Sequence, residues 1–396
     1  MSAAVATATL TSCSVGPQLR VDLDAVADNT RVFLRRATGE VMAVVKADGF
    51  GHGAVDVART ALAAGATRLG VTSIAEALPL RAAGLDVPVL SWLNPVEADW
   101  TAAVGANLDL AVPSRDHLEA LLRSTVGARV HLHLDTAMAR DGAAPGSWAD
   151  LCRAARRAEQ QGRLHVVGLM GHLACAEDPA HPSNSIGRTR FAWGLMTARA
   201  AGLRPTQRHL AATSATLLDP LAHHTMSRVG AGLVGIDPTR TAGSELRGAL
   251  TMTAPLVDVR TVRAGTPVGY GHVWTAPRAT RLGLLPLGYA DGLPRVSGGA
   301  EVLVHGRRAP VVGRISMDMT VVDLGDSGAE AGEQATVFGP GLHGEPTVRD
   351  WADAAGCLEH EIVTGLGRRA ERVVVGGPVE HGGSGSSDRT PVRGLR

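Results

Sequence analysis

Lys and Arg together number 39 in this 396-residue chain, and a single one of them, Lys46, is lysine. It closes the stretch "VMAVVK", where a run of apolar, β-prone residues reads as a buried strand with the lysine at its carboxyl end. A buried ammonium is costly unless it is paired or neutralised. A neutral amine can attack a carbonyl, whereas guanidinium stays charged and cannot. Other reactive groups close similar runs: His133 and Asp135 in "RVHLHLD", His172 in "GLMGHL", Thr213 and Ser214 in "AATSA", and Arg228 in "MSRVGAG". An amine able to lose its proton, hydroxyls and Gly-rich turns able to hold a phosphate, and an arginine together point to pyridoxal 5′-phosphate. That cofactor needs a lysine for covalent attachment and a partner for its pyridine nitrogen. The two tyrosines, Tyr270 in "VGYGHV" and Tyr289 in "LGYADG", both sit in Gly-flanked turns, and a phenol of shifted acidity can act as a base. His131, His133 and Asp135 share one strand face at spacings a metal could use. The plainer reading gives His133 a hydrogen bond to Arg140 or a neighbour, and no metal is assigned.

Reactive groups at the ends of several strands need a scaffold that brings those ends together. Eight β-prone runs, from "VMAVVKA" to "MSRVGAG", alternate with helix-length Ala/Leu/Arg-rich segments. That alternation predicts a closed (β/α)8 barrel over residues 18–245. An open doubly wound sheet is the alternative, but no G-x-G-x-x-G turn follows the first of these strands. From 246 to 382 strands dominate, punctuated by Gly and Pro, which predicts a mostly antiparallel β domain with one short helix at "VRDWADAAG". Residues 1–17 and 383–396 read as flexible segments. A net charge of +1 and 3% aromatic residues argue against nucleic acid as partner. No apolar run reaches the roughly 18 residues that a membrane span needs. Four scattered cysteines without a C-x-x-C pair, and a start lacking the basic region of a signal peptide, suggest a cytoplasmic protein.

Several segments resemble the alanine racemase family, in order, between about residues 18 and 378. "AVVKADGFGHG" is similar to the family's cofactor-lysine motif AVVKANAYGHG, and "LDTAMARDG" to its DTGMGRLG segment. "GYADGLPR" and "GRISMDM" match family signatures almost unchanged, and "HEIVTGLGRR" resembles EIVTRIG. The resemblance implies interconversion of L- and D-alanine by two bases, Lys46, which also carries the cofactor, and Tyr270. It implies Arg228 at the pyridine nitrogen, with Thr213, Gly230 and Ala231 around the phosphate. His172 and His209 are implied to orient Tyr270 and Arg228, and Arg140 and Met317 to meet the cofactor oxygen and the substrate carboxylate. It further implies a homodimer in which Tyr270 and Met317 reach the other subunit's site.

The sequence departs from the family pattern at several of these positions. Phe50 replaces a phosphate-binding tyrosine, a loss worth about 1–2 kcal/mol of cofactor binding. His133 stands where the family often has a carbamylated lysine. Ala137, Ala212, Thr213 and Val234 replace Gly, Asn, Ser and Tyr respectively. These changes keep open a racemase of another amino acid, such as serine, and a PLP-binding protein without turnover.

Overall fold

The structure is a computed structural model that describes residues 16–240 and 245–378. The expected tail 383–396, and all but the last two residues of the expected flexible segment 1–17, lie outside the described residues. After a first strand, β1 (Gln18–Asp22), eight parallel strands follow. They are β2 (Glu40–Val44), β3 (Arg68–Val71), β4 (Val89–Ser91), β5 (Leu108–Val112), β6 (Ala128–His133), β7 (Leu164–Met170), β8 (Gln207–His209) and β9 (Met226–Val229). Their order runs from β8 down to β2 and then to β9. Backbone bonds from Thr225 N to Arg208 O (3.1 Å) and from Arg228 N to Ala211 O (3.0 Å) join β8 to β9 and close the ring. Every residue of β5 is buried, as expected of a strand with a filled interior on one face and helices on the other. Inside the ring, Met42, Leu90, Ala111, Met170 and Met226 form a small apolar cluster of their own.

Helix starts are fixed by side-chain caps, which also fix where each strand hands over to its loop. Ser73 accepts from Glu76 N at 3.2 Å and Ser114 from His117 N at 3.4 Å, each opening a barrel helix. The helix Leu23–Arg36 is capped by Asp22 and turns its apolar face to the barrel. Buried Asn29 on this helix donates to Leu233 O and Arg247 O at 3.1 and 2.8 Å. Its Oδ1 accepts from Arg247 N at 2.9 Å, so one side chain ties the end of the barrel to the start of the second domain.

That second domain centres on a six-stranded sheet in the order Arg307–Pro310, Glu301–Val304, Gln334–Phe338, Leu250–Pro255, β1, Glu371–Val375. A three-stranded sheet (Asp258–Val262, Thr280–Leu285, Thr320–Gly325) accompanies it. The short helix expected at "VRDWADAAG" spans Val348–Ala355, with a capping box between Thr347 and Asp350. Two features differ from expectation. Residues 18–22 belong to this domain rather than to the barrel, pairing antiparallel with Leu250–Pro255 and parallel with Glu371–Val375. The reason lies in the pattern: only Leu19 and Val21 are buried, and such alternation suits a sheet with one apolar face, not a barrel stave. A second helix, Glu359–Gly365, follows the first and lies against the loop that carries Lys46.

Candidate active site

At the carboxyl ends of the barrel strands lies a cavity of about 570 Å³. Lys46, Arg140, His172, Thr213, Arg228, Gly230 and Ala231 all line it. Lys46 opens a turn in which Ala47, Asp48, Gly49 and Phe50 are left-handed, with φ of 51°, 53°, 63° and 56°. Each non-Gly residue there costs about 1–2 kcal/mol. The turn is therefore held from outside. Glu76 Oε1 accepts from Ala47 N at 2.7 Å, and Asp48 Oδ1 from Ala54 N at 2.9 Å. Gly51 lies so close to the helix Glu359–Gly365 that a Cβ would collide with the Val363 carbonyl. Arg372 adds a bond to Gly51 O at 2.8 Å.

This setting lowers the Lys46 amine from its usual pKa, first by burial and then by the nearby Arg140 and Arg228 cations, with Glu76 opposing. Burial pushes the Glu76 carboxyl up, but hydrogen bonds from Thr72, Ala47 and Ser73 outweigh it and keep the group acidic. Arg228 is buried and has no carboxylate partner among the described residues. Its Nη1 donates to His209 Nδ1 and O, both at 2.9 Å. Its Nη2 donates to Gly171 O at 2.7 Å and to His172 Nδ1 at 3.2 Å. Burial brings the guanidinium down to about 10, which leaves it charged at neutral pH. Burial and then Arg228 bring His172 down to about 3, and His209 falls well below its usual value for the same reasons, so both rings are neutral.

At the other end of the cavity, Thr213 Oγ1 lies 3.4 Å from the amides of Gly230 and Gly232. The Phe50 ring covers Gly230, with Cε2 and Cζ 2.7 Å from where a Cβ would stand. Ala212 lines the cavity, whereas Val234 is buried in the main core. His133 faces Asp141 Oδ2 at 3.3 Å, so of the expected partners, Arg140 or a neighbour, it meets the neighbour. His131, His133 and Asp135 do not converge on a point. His131 meets His209, and Asp135 Oδ1 accepts from the amides of Ala137, Met138 and Ala139. Tyr270 and Met317 are absent from the lining of this cavity. Both lie on the surface of the second domain, 65% and 53% exposed. His360, on the unexpected helix, does line the cavity and tilts against Phe50 with ring centroids 6.1 Å apart. Sequence reasoning missed it and missed Glu76, because neither ends a barrel strand.

Residues 21–238 match the family described as alanine racemase, N-terminal domain, and residues 249–374 match alanine racemase, C-terminal domain. The chain belongs to the alanine racemase family. It is 47% identical over 370 residues to the alanine racemase of Streptomyces coelicolor, covering 90% of this chain and 95% of that one. The crystal structure of alanine racemase from D-cycloserine-producing Streptomyces lavendulae superposes with a TM-score of 0.90 at 40% identity, over 93% of this chain and 99% of that one. The alanine racemase of Bartonella henselae, described with covalently bound pyridoxal phosphate, is similar at TM-score 0.83 and 25% identity, over 91% and 100% of the two chains. The activity is thus an isomerisation, the interconversion of L- and D-alanine, and the family's cofactor is pyridoxal 5′-phosphate. The donor set fits that cofactor: a lone lysine with a depressed pKa, a buried arginine lacking a carboxylate, and a hydroxyl beside backbone amides.

Proposed function

We propose that Lys46 and Tyr270 are the two bases of this alanine racemase, and that Tyr270 and Met317 enter the site from a second copy of the chain. The observation that carries the reading is a mismatch of position. Lys46 points into a cavity that its own Tyr270 does not line, while Tyr270 stands exposed beside a Gly-flanked turn on the second domain. Val273, Tyr289, Met317 and Met319 are exposed on the same domain, an unusual set of large apolar groups for a surface facing water.

Racemisation removes the Cα proton from one face and returns one to the other, so each face needs a base. Pyridoxal 5′-phosphate, when bound, would supply the electron withdrawal that makes this proton removable. Lys46 holds the cofactor at rest and exchanges the proton on one face, a role its depressed pKa suits. Tyr270 from the second copy exchanges it on the other. Arg228 would face the pyridine nitrogen as a donor that keeps its proton, which would temper the electron withdrawal and disfavour side reactions. Thr213 and the amides of Gly230 and Ala231 would hold the phosphate, and Arg140 with Met317 of the second copy would hold the substrate carboxylate. Cys152, Cys175 and Cys357 are free thiols, which supports a cytoplasmic setting.

Mixing two inactive variants tests the shared site. Lys46→Arg and Tyr270→Phe are each expected to abolish racemisation, and Lys46→Arg also to remove the absorbance of lysine-bound cofactor. Unfolded and refolded together, they should regain activity, because a mixed dimer has one site with both bases intact. If the mixture stays as inactive as its parts, although mixed dimers have formed, the shared site is wrong.

A further inference from the structure

Behind the cavity, the barrel interior contains polar groups that the proton transfers do not use. The row begins at Arg228 Nη1, 2.9 Å from His209 Nδ1. Guanidinium has no lone pair to offer, so Arg228 donates and His209 Nδ1 accepts. The neutral His209 ring must then carry its proton on Nε2, which lies 2.8 Å from His131 Nδ1. By the same step, His131 accepts at Nδ1 and carries its own proton on Nε2. That N–H faces Asp109 Oδ2 at 3.6 Å, an electrostatic contact longer than a hydrogen bond. A permanent donor at one end and a carboxylate at the other leave a single polarity for the whole row.

The surroundings argue that this row is built rather than incidental. His131 and His209 are wholly buried and Asp109 is 2% exposed, alongside the apolar cluster of Met42, Leu90, Ala111, Met170 and Met226. Buried polar groups are costly unless partnered. Room for the His131 ring comes from Gly168 on β7, where a Cβ would collide with the imidazole. The β6–β7 pairing also shifts register between Val130 and His131. Burial lowers the His131 pKa, so the ring stays neutral. Burial raises the Asp109 carboxyl, but His131 and Arg129 outweigh it and keep it charged. Arg129 Nε fixes Asp109 Oδ1 at 2.6 Å, and Arg68 stands 3.8 Å from Oδ2.

We propose that Asp109 and His131 are remote positioning residues for the active site. Through His209 they select the tautomer of the imidazole beneath Arg228 and so hold the guanidinium in place towards the cofactor. The proposal rests on the role given to Arg228 above.

Nitrogen-15 NMR of histidine-labelled holoenzyme reads each tautomer directly. His209 and His131 are both expected to be protonated on Nε2. In Asp109→Asn, the His131 and His209 signals should move and the visible band of the bound cofactor should shift. There kcat should fall about tenfold, the scale for losing an outer partner of a functional histidine, with KM changed less. Arg129→Gln, which removes an ion pair of the same carboxylate, should leave both tautomers as they are. A wild-type His209 protonated on Nδ1 overturns the proposal, and so does an Asp109→Asn enzyme with unchanged histidine signals, whatever its activity. If Asp109→Asn does not fold, the wild-type tautomers decide alone. A wild-type protein without lysine-bound cofactor would instead remove the functional reading and leave the tautomer measurement standing.

Discussion

At position 137 an alanine holds a backbone that suits glycine better, with φ of 84°, in the turn that Asp135 caps at the cavity wall. Ala137→Gly relieves that strain but frees the unfolded chain, so a net gain of about 0.5–1 kcal/mol is expected, read as a higher melting temperature. Phe50 makes the opposite case, since what it lacks is a hydroxyl. Its ring tip lies over Gly230, so Phe50→Tyr should place a donor at the phosphate end and tighten cofactor binding about tenfold, measured by titrating apoenzyme. Lys46, Arg228 and Thr213 were legible because each ends an apolar run, and such ends converge in a barrel. Glu76 and His360 were not, since their sequence neighbours carry no sign of what they meet across space. For His133 the sequence left the partner open between Arg140 and a neighbour, and Asp141 fills that place.

Between the lysine loop and the helix Glu359–Gly365, backbone meets backbone beside the contact of the Phe50 and His360 rings. Gly51 has φ of +78° and no room for a Cβ against Val363. Gly51→Ala should therefore push the second domain's helix away from the lysine loop. The left-handed turn at Ala47–Phe50 loses one of its external supports, so both cofactor retention and melting temperature should fall, by the 1–3 kcal/mol typical of overpacking. Dialysis against cofactor-free buffer, compared with the native enzyme, checks the first of these. The elements themselves were well foreshadowed: all eight barrel strands lie within or beside the β-prone runs that alternate with helical segments, and β5 is buried on both faces. Residues 18–22 were placed with the barrel because so short a segment does not show its partners, which lie more than 200 residues further on. The helix Glu359–Gly365 is too short for its periodicity to stand out.

Across the whole molecule, buried neutral histidines set the response to acid. Burial brings His52 down to about 4 and His172 down to about 3, whereas in the unfolded chain both titrate near 6.5. Below about pH 6.5 the unfolded chain takes up protons that the folded protein refuses. Stability is thus complete above that pH and drains as pH falls towards 3–4, by an amount on the order of a few kcal/mol for each ring. Melting temperatures recorded from pH 7 down to 4 should decline steadily, and His52→Gln should flatten part of the slope. The second copy proposed for the active site was legible only through family resemblance, because a single chain's residue pattern does not show what covers an exposed tyrosine. One feature of the chain also governs how it can be made. β1 lies between strands that follow it by more than 200 residues, and Gln18 bonds to Glu371, 353 positions away, at 2.9 Å. A ribosome delivers β1 long before either of its sheet neighbours, so this strand waits unpaired until after the barrel has all its staves. Nor does a cut between the domains separate them: the barrel fragment would carry off the sheet's inner strand with both edges bare, and the other fragment would be left with a gap.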